Sequence, residues 1–326
     1  MKLRRIELIL LPLLLLTVMV GLCFGSAPLS LSELAAALTG EGTARTILLG
    51  IRLPRVLAGL LAGVGLSTAG VLLQTVTAND LASPNIIGIN SGAGLAVILL
   101  LTFAPKAAGI WLPLGAFCGA FGAALVILAA GSRLGSSRSG ILLIGIAITT
   151  LFNAAISFLS LLDEGILAQY NHFTVGSLRA VGTAELAVPG VIILFGCCAA
   201  LALSGRLSVL CLGDAAAAAL GIRVKRLRIA ALACAAACAA AVVSFAGLLG
   251  FVGLVVPHIG RALAGERPSR LIPVSALVGS NLVILADLLG RTLFAPSELP
   301  VGILMSLIGA PYFLILLIRR HRYAGN

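Results

Sequence analysis

Ten apolar stretches, each close to the length of a bilayer-spanning helix, follow one another along the chain with little between them. They occupy roughly 6–25, 54–75, 86–103, 111–131, 140–162, 186–204, 229–247, 248–264, 271–291 and 300–318. A hydrocarbon core about 30 Å thick takes roughly 20 apolar residues in helix. Within lipid, only helices and closed barrels satisfy their own backbone polar groups. Gly and Ala abound in these runs, and the period-two alternation of barrel strands is missing. The expectation is an all-α integral membrane protein with about ten transmembrane helices. Only 10% of the residues are charged, against about 25% in soluble domains. A cytosolic enzyme, a secreted disulfide scaffold and a disordered regulator are thereby excluded. The longest polar gaps, roughly 26–53, 163–185 and 205–228, leave no room for a soluble domain. Residues 1–326 read as a single transmembrane domain.

Lys2, Arg4 and Arg5 precede the first run, which raises a cleaved signal peptide. The length of the run, and Leu22 before Cys23 where a lipoprotein-type site wants a small residue, favour a retained helix. The seventh and eighth runs are separated only by Gly247 and Gly250. With ten spans, Arg45, Arg52, Arg55, Lys106, Arg179 and Arg291 fall on one face. The rest of the 22 Lys and Arg fall on the face of the two termini, so both termini are expected in the cytoplasm. The net charge of +11 is this basic punctuation of span ends, not a nucleic-acid footprint.

Catalytic chemistry is not legible. A phosphate-binding loop needs a lysine after glycine; Lys2, Lys106 and Lys225 all lack it. His172, His258 and His321 are far apart, and the cysteines form no C-x-x-C pair. Neither catalytic residues nor metal ligands are expected. Asp287 and Arg291, four positions apart in the ninth run, suit an ion pair on one helix face. No chain of membrane carboxylates marks a proton relay. The small-residue pairs Gly59/Gly63, Gly63/Ser67 and Gly115/Gly119 allow close helix approach, read as packing within the chain.

Two longer patterns go further. The first is Arg52-Leu53-Pro54-Arg55, Gly70, Gln74, Asn79-x-Leu81-Ala82-x-Pro84, Gly88 and Gly92-Ala93. The second begins with Gly250-Phe251-Val252-Gly253-Leu254-Val255-Val256-Pro257-His258, Arg261, Pro273-x-Ser275-Ala276-Leu277 and Ala286-Asp287. It continues with Arg291, Glu298-Leu299-Pro300-Val301-Gly302 and Gly309-x-Pro311-x-Phe313. In order and spacing they resemble the permease subunits of bacterial ABC importers for iron chelates, haem and cobalamin, the FecCD-type family. Asn79-Asp80 departs from the family's usual Asn-Pro, and tryptophans usual around Gly176-Ser177-Leu178 are missing.

The resemblance implies a type II importer permease in the bacterial cytoplasmic membrane. It also implies three kinds of partner: a second, identical permease copy, two cytoplasmic ATPase subunits carrying ATP and Mg, and an extracytoplasmic substrate-binding protein. This chain itself would bind no cofactor. The alternative from another class is a self-contained secondary transporter or channel. By resemblance, Arg52, Arg55 and Arg291 dock the binding protein on the outer face, where guanidinium suits bidentate capture of carboxylate. Asn79 and Leu81, with Ser137 and Ser139, form cytoplasmic gates; otherwise Asn79 simply turns the chain. The pathway is expected to be uncharged, a shaped and weakly binding tunnel.

The gap at 205–228 is the expected ATPase contact. Asp214 reads as an N-cap, Ala215 to Ala219 as a short helix, and Leu220-Gly221 as its stop. So short a helix is marginal alone and must dock. The resemblance assigns coupling to Gly213, Asp214, Ala217, Ala218, Leu220 and Gly221.

Overall fold

The computed structural model describes residues 2–25, 32–33, 37, 42–85, 88–133, 138–179 and 181–324. Among them the regular structure is helical throughout. Helix α1 is Lys2–Cys23; a short turn at Thr43–Arg45 and a π-helical turn at Thr46–Arg52 lead into α2, Leu53–Thr77. Then come α3 Ile89–Phe103, α4 Pro105–Arg133, α5 Arg138–Ser160, α6 Glu164–Val175 and α7 Thr183–Leu210. The chain continues through α8 Asp214–Ala219, α9 Val224–Ala246, α10 Val252–Ala264, α11 Pro268–Thr292 and α12 Val301–Ala324.

Each of the ten apolar runs lies on a helix, but not all ten are full-length spans. Among the described residues, seven stretches, on α1, α2, α4, α5, α7, α9 and α11, are long and apolar enough to cross a membrane. The apolar parts of α3 and α10 are shorter, and that of α12 is described only as far as Leu316. At 1.5 Å per residue, the 13 residues of α10 rise only about 20 Å. The break between the seventh and eighth runs is real: Gly247 and Phe251 bracket it with φ of 68° and 63°. The gap at 163–185 holds α6, a helix absent from the reading of spans. Asp163 caps it, accepting from the Gly165 N–H at 2.6 Å.

Helix α2 is the centre of the bundle, buried along most of its length against α7, α9, α10 and α11. Its small residues make this possible. A Cβ added at Gly63 would fall on the backbone of Gly279 and Ser280, so α2 and α11 touch backbone to backbone there. Gly119 of α4 meets Gly92 of α3 in the same way, so both small-residue motifs serve packing within the chain. Helix α1 lies against α11, where Thr17 Oγ1 donates to Asn281 Oδ1 at 2.8 Å.

Non-helical backbone before α10 and α12 meets the segment after α6 at one junction. Ser177 N–H donates to Ala246 O at 2.9 Å, Leu248 N–H to Phe173 O at 3.2 Å, and Gly302 N–H to Gly176 O at 3.1 Å. A Cβ at Gly302 would strike the Val175 carbonyl, so the three segments close only around glycine. Irregular backbone at membrane depth is tolerated where protein buries it or where it lines a cavity. Both conditions hold here.

Candidate functional site

A charged cluster occupies the end of the bundle where α2 begins and α11 finishes. Arg55, in the first turn of α2, donates from Nε to both oxygens of Asp287 at 2.9 Å and from Nη1 to Glu298 at 2.8 Å. Arg291 Nε stands 3.6 Å from Asp287, the pair expected from their spacing, while its Nη2 donates to Gly21 O at 2.6 Å. Arg52 Nη1 donates to Leu22 O and Cys23 O at 2.8 and 2.6 Å. The cluster therefore ties the end of α1, the start of α2, the end of α11 and the loop before α12 together.

The structure brings Arg52, Arg55 and Arg291 to one place and buries them there. They are 3%, 5% and 2% exposed. The physical reason is local. The carboxylate of Asp287 and the terminal carbonyls of α1 supply acceptors inside the bundle, and a buried guanidinium without them would be costly. Arg55 lines a cavity on this end, about 440 Å³ in volume, with Glu298, Arg179, Asn171 and His172. Arg179 is exposed and stands 3.8 Å from Glu298.

Two further cavities flank the glycine junction. One of about 570 Å³ is lined by the uncharged Asn85, Asn90, Thr174 and Ser306 together with Phe251 and Leu307. The other, about 370 Å³, lies between α6 and the end of α9 and shares His172 and Arg179 with the charged cavity. Helix α6 and the segment after it thus border all three spaces. An uncharged lining, expected for the whole pathway, holds for one of them.

At the far end of α2 the chain reverses. Ala78 takes a left-handed conformation, and Asn79 Oδ1 accepts from the Leu81 N–H at 2.9 Å, an Asx turn. Asn79 therefore does turn the chain. Gln74 bridges this end to α10: its amide nitrogen lies 3.3 Å from Leu254 O, and its oxygen accepts from Arg261 at 2.6 Å. Asp80, in place of the family's usual proline, stands 3.5 Å from the same arginine. Ser137 lies outside the described residues; Ser139 falls in the first turn of α5.

The short helix α8 forms as its sequence demands, with one correction. Its N-cap is Gly213, at φ 110°, not Asp214. The Asp214 carboxylate is engaged elsewhere, accepting from Arg228 Nη2 at 2.7 and 2.8 Å. That bond fastens α8 to the second turn of α9. Ala217 faces inward and is fully buried, while Ala218, Leu220 and Gly221 are exposed. Sequence reasoning missed this division of the alanine run, and it missed α6 and the Glu298 contact. Asp163 followed by Gly176 was an available signal for α6.

The comparisons with known proteins agree along nearly the whole chain. The model of the FecCD transport family matches residues 13–319. The iron(3+)-hydroxamate import system permease protein FhuG of Bacillus subtilis is 39% identical over 296 residues, covering 86% of each chain. The hemin transport system permease protein HmuU of Yersinia pestis is 38% identical over 316 residues, 94% of each. Among solved structures, an inward-facing conformation of a metal-chelate type ABC transporter superposes with a TM-score of 0.87 at 30% identity, covering 97% of this chain and 99% of the other. A match of this extent leaves one conclusion: the chain belongs to the FecCD transport family.

Proposed function

We infer that this chain is the membrane-spanning permease subunit of an ATP-driven importer for an iron chelate or haem. The observation that carries the reading is similarity over almost the full chain to permeases of both hydroxamate and hemin systems. A cobalamin-type corrinoid is the less supported substrate. Hydrolysis of ATP belongs to two partner ATPases, since this sequence has no phosphate loop of its own. The chain crosses the membrane ten times with both termini in the cytoplasm, and pairs with a second, identical copy.

The end with the charged cluster then faces outward and receives the binding protein. A partner carboxylate entering the 440 Å³ cavity can exchange with Glu298 on Arg55. Arg52 and Arg291 frame that contact from beneath, through the end of α1. The opposite end faces the cytoplasm, where Asn79 and Leu81, with Ser137 and Ser139, form the inner gate. Exposed Ala218, Leu220 and Gly221 present α8 to the ATPase, while Gly213 and Asp214 shape it.

Co-purification tests the assignment. Expressed together with candidate ATPase subunits, the chain should elute as one complex containing two copies of each. Elution of the permease alone, with no stimulation of hydrolysis, would overturn the reading.

A further inference from the structure

We propose that the end of the bundle near α8 carries a binding site for the headgroup of an anionic phospholipid. Between the last turns of α7 and the start of α9 lies a cavity of about 560 Å³. Arg206, Arg223 and Arg226 line it, with Leu203, Leu227 and Ala230 as its apolar wall, and Leu220 and Gly221 at the end of α8 also border it. All three arginines are exposed. Among the described residues none of them has a carboxylate in ion-pair reach, and the nearby Asp214 is engaged by Arg228. Three guanidinium groups around one hollow match the planar, bidentate recognition of phosphate oxygens.

The neighbouring surface identifies the source of the phosphate. Val191 and Phe195 of α7 are exposed apolar side chains. Phe195 and Arg206 are eleven positions apart, about three turns, so they point the same way. An acyl chain lying along this stripe would bring its headgroup to the arginines. Basic pockets at the ends of membrane helices bind anionic headgroups by this combination of charge and apolar wall. A free phosphate uses only half of the surface. The inference needs the chain to span a bilayer but does not depend on the transported substrate.

The test uses the full chain in nanodiscs of equal parts phosphatidylglycerol and phosphatidylcholine, followed by mild detergent extraction. Mass spectrometry then counts the lipids that stay bound. Wild type should retain phosphatidylglycerol over phosphatidylcholine. Each of R206Q, R223Q and R226Q should lower that preference about fivefold, and the triple variant should abolish it. Replacing all three by lysine should leave an intermediate preference, because charge remains while the fork is lost. Circular dichroism checks folding, and the single variants carry the test where the triple variant does not fold. A wild-type ratio equal to that of the disc, or a preference that survives the triple variant, overturns the proposal. So does inorganic phosphate binding at the arginines with no lipid retained. A triple variant that keeps its lipid but releases the ATPase overturns it too, since the arginines would then face protein.

Discussion

Arg55 and Asp287 are 232 positions apart in the chain, and the arginine Nε reaches both carboxylate oxygens at 2.9 Å. Both side chains are buried, so each neutralises a charge that the interior would otherwise penalise heavily. Removing one partner of such a pair typically costs about 3–5 kcal/mol. Asp287→Ala removes the carboxylate that Arg55 and Arg291 share, leaving only Glu298 to neutralise Arg55 and the Gly21 carbonyl to hold Arg291, and should be the more damaging of the two changes. Arg55→Ala should cost less, because Arg291 still faces Asp287. The double variant should be less destabilised than the sum of the singles, by about 0.5–3 kcal/mol. Thermal unfolding in detergent measures this cycle, and simple additivity would contradict the pairing.

The contact of α2 with α11 sets a second expectation. Gly63→Ala places a methyl group onto the Gly279–Ser280 backbone and should destabilise by at least about 1–3 kcal/mol. Gly122, within α4, has nothing within 4 Å of an added Cβ. Gly122→Ala should therefore be neutral or stabilising by up to about 1 kcal/mol. Equal effects at the two positions would remove the argument from close approach.

Helix α8 separates folding from coupling by one residue. Ala218 is exposed, so Ala218→Glu should leave the permease folded and inserted while it weakens ATPase retention or stimulated hydrolysis. Ala217 is fully buried, and Ala217→Glu should undock α8 altogether. Hydrogen exchange over 214–219 distinguishes the two: protection persists in the first variant and disappears in the second. Normal coupling in Ala218→Glu would show that α8 does not meet the ATPase.

What the sequence makes legible is what depends on near neighbours in the chain. The ten apolar runs, the Asp287–Arg291 pair at helical spacing and the stop of α8 at Leu220-Gly221 are all of this kind. Helix α6 is polar enough to escape a search for spans, although Asp163 announces its start. The contacts of Arg55 with Asp287 and Glu298 have no local signature, because folding alone joins α2 to the end of α11 and its following loop. Arg52, Arg55 and Arg291 meet at one end of the bundle, and their burial follows from acceptors on α1 and α11 that no short motif contains. The split between Ala217 and Ala218 likewise depends on which face of α8 Arg228 pulls inward.

The turn after α2 offers a test of gating. Leu81 is half-buried beyond the Asn79 turn, and Gln74 and Asp80 tie this end to Arg261 of α10. Cysteine at position 81 should cross-link between the two copies in one nucleotide state and resist it in the other. Cross-linking of equal yield in both states would count against a gate at this loop. Arg261→Ala should loosen the turn and blunt the difference between states.

The most direct measurement is uptake into proteoliposomes that contain the permease with its ATPase, offered a ferric hydroxamate or haem on its binding protein. Accumulation should require both the binding protein and ATP hydrolysis, and should vanish when either is withheld. Uptake by this chain alone, driven by an ion gradient without ATPase or binding protein, would contradict the account.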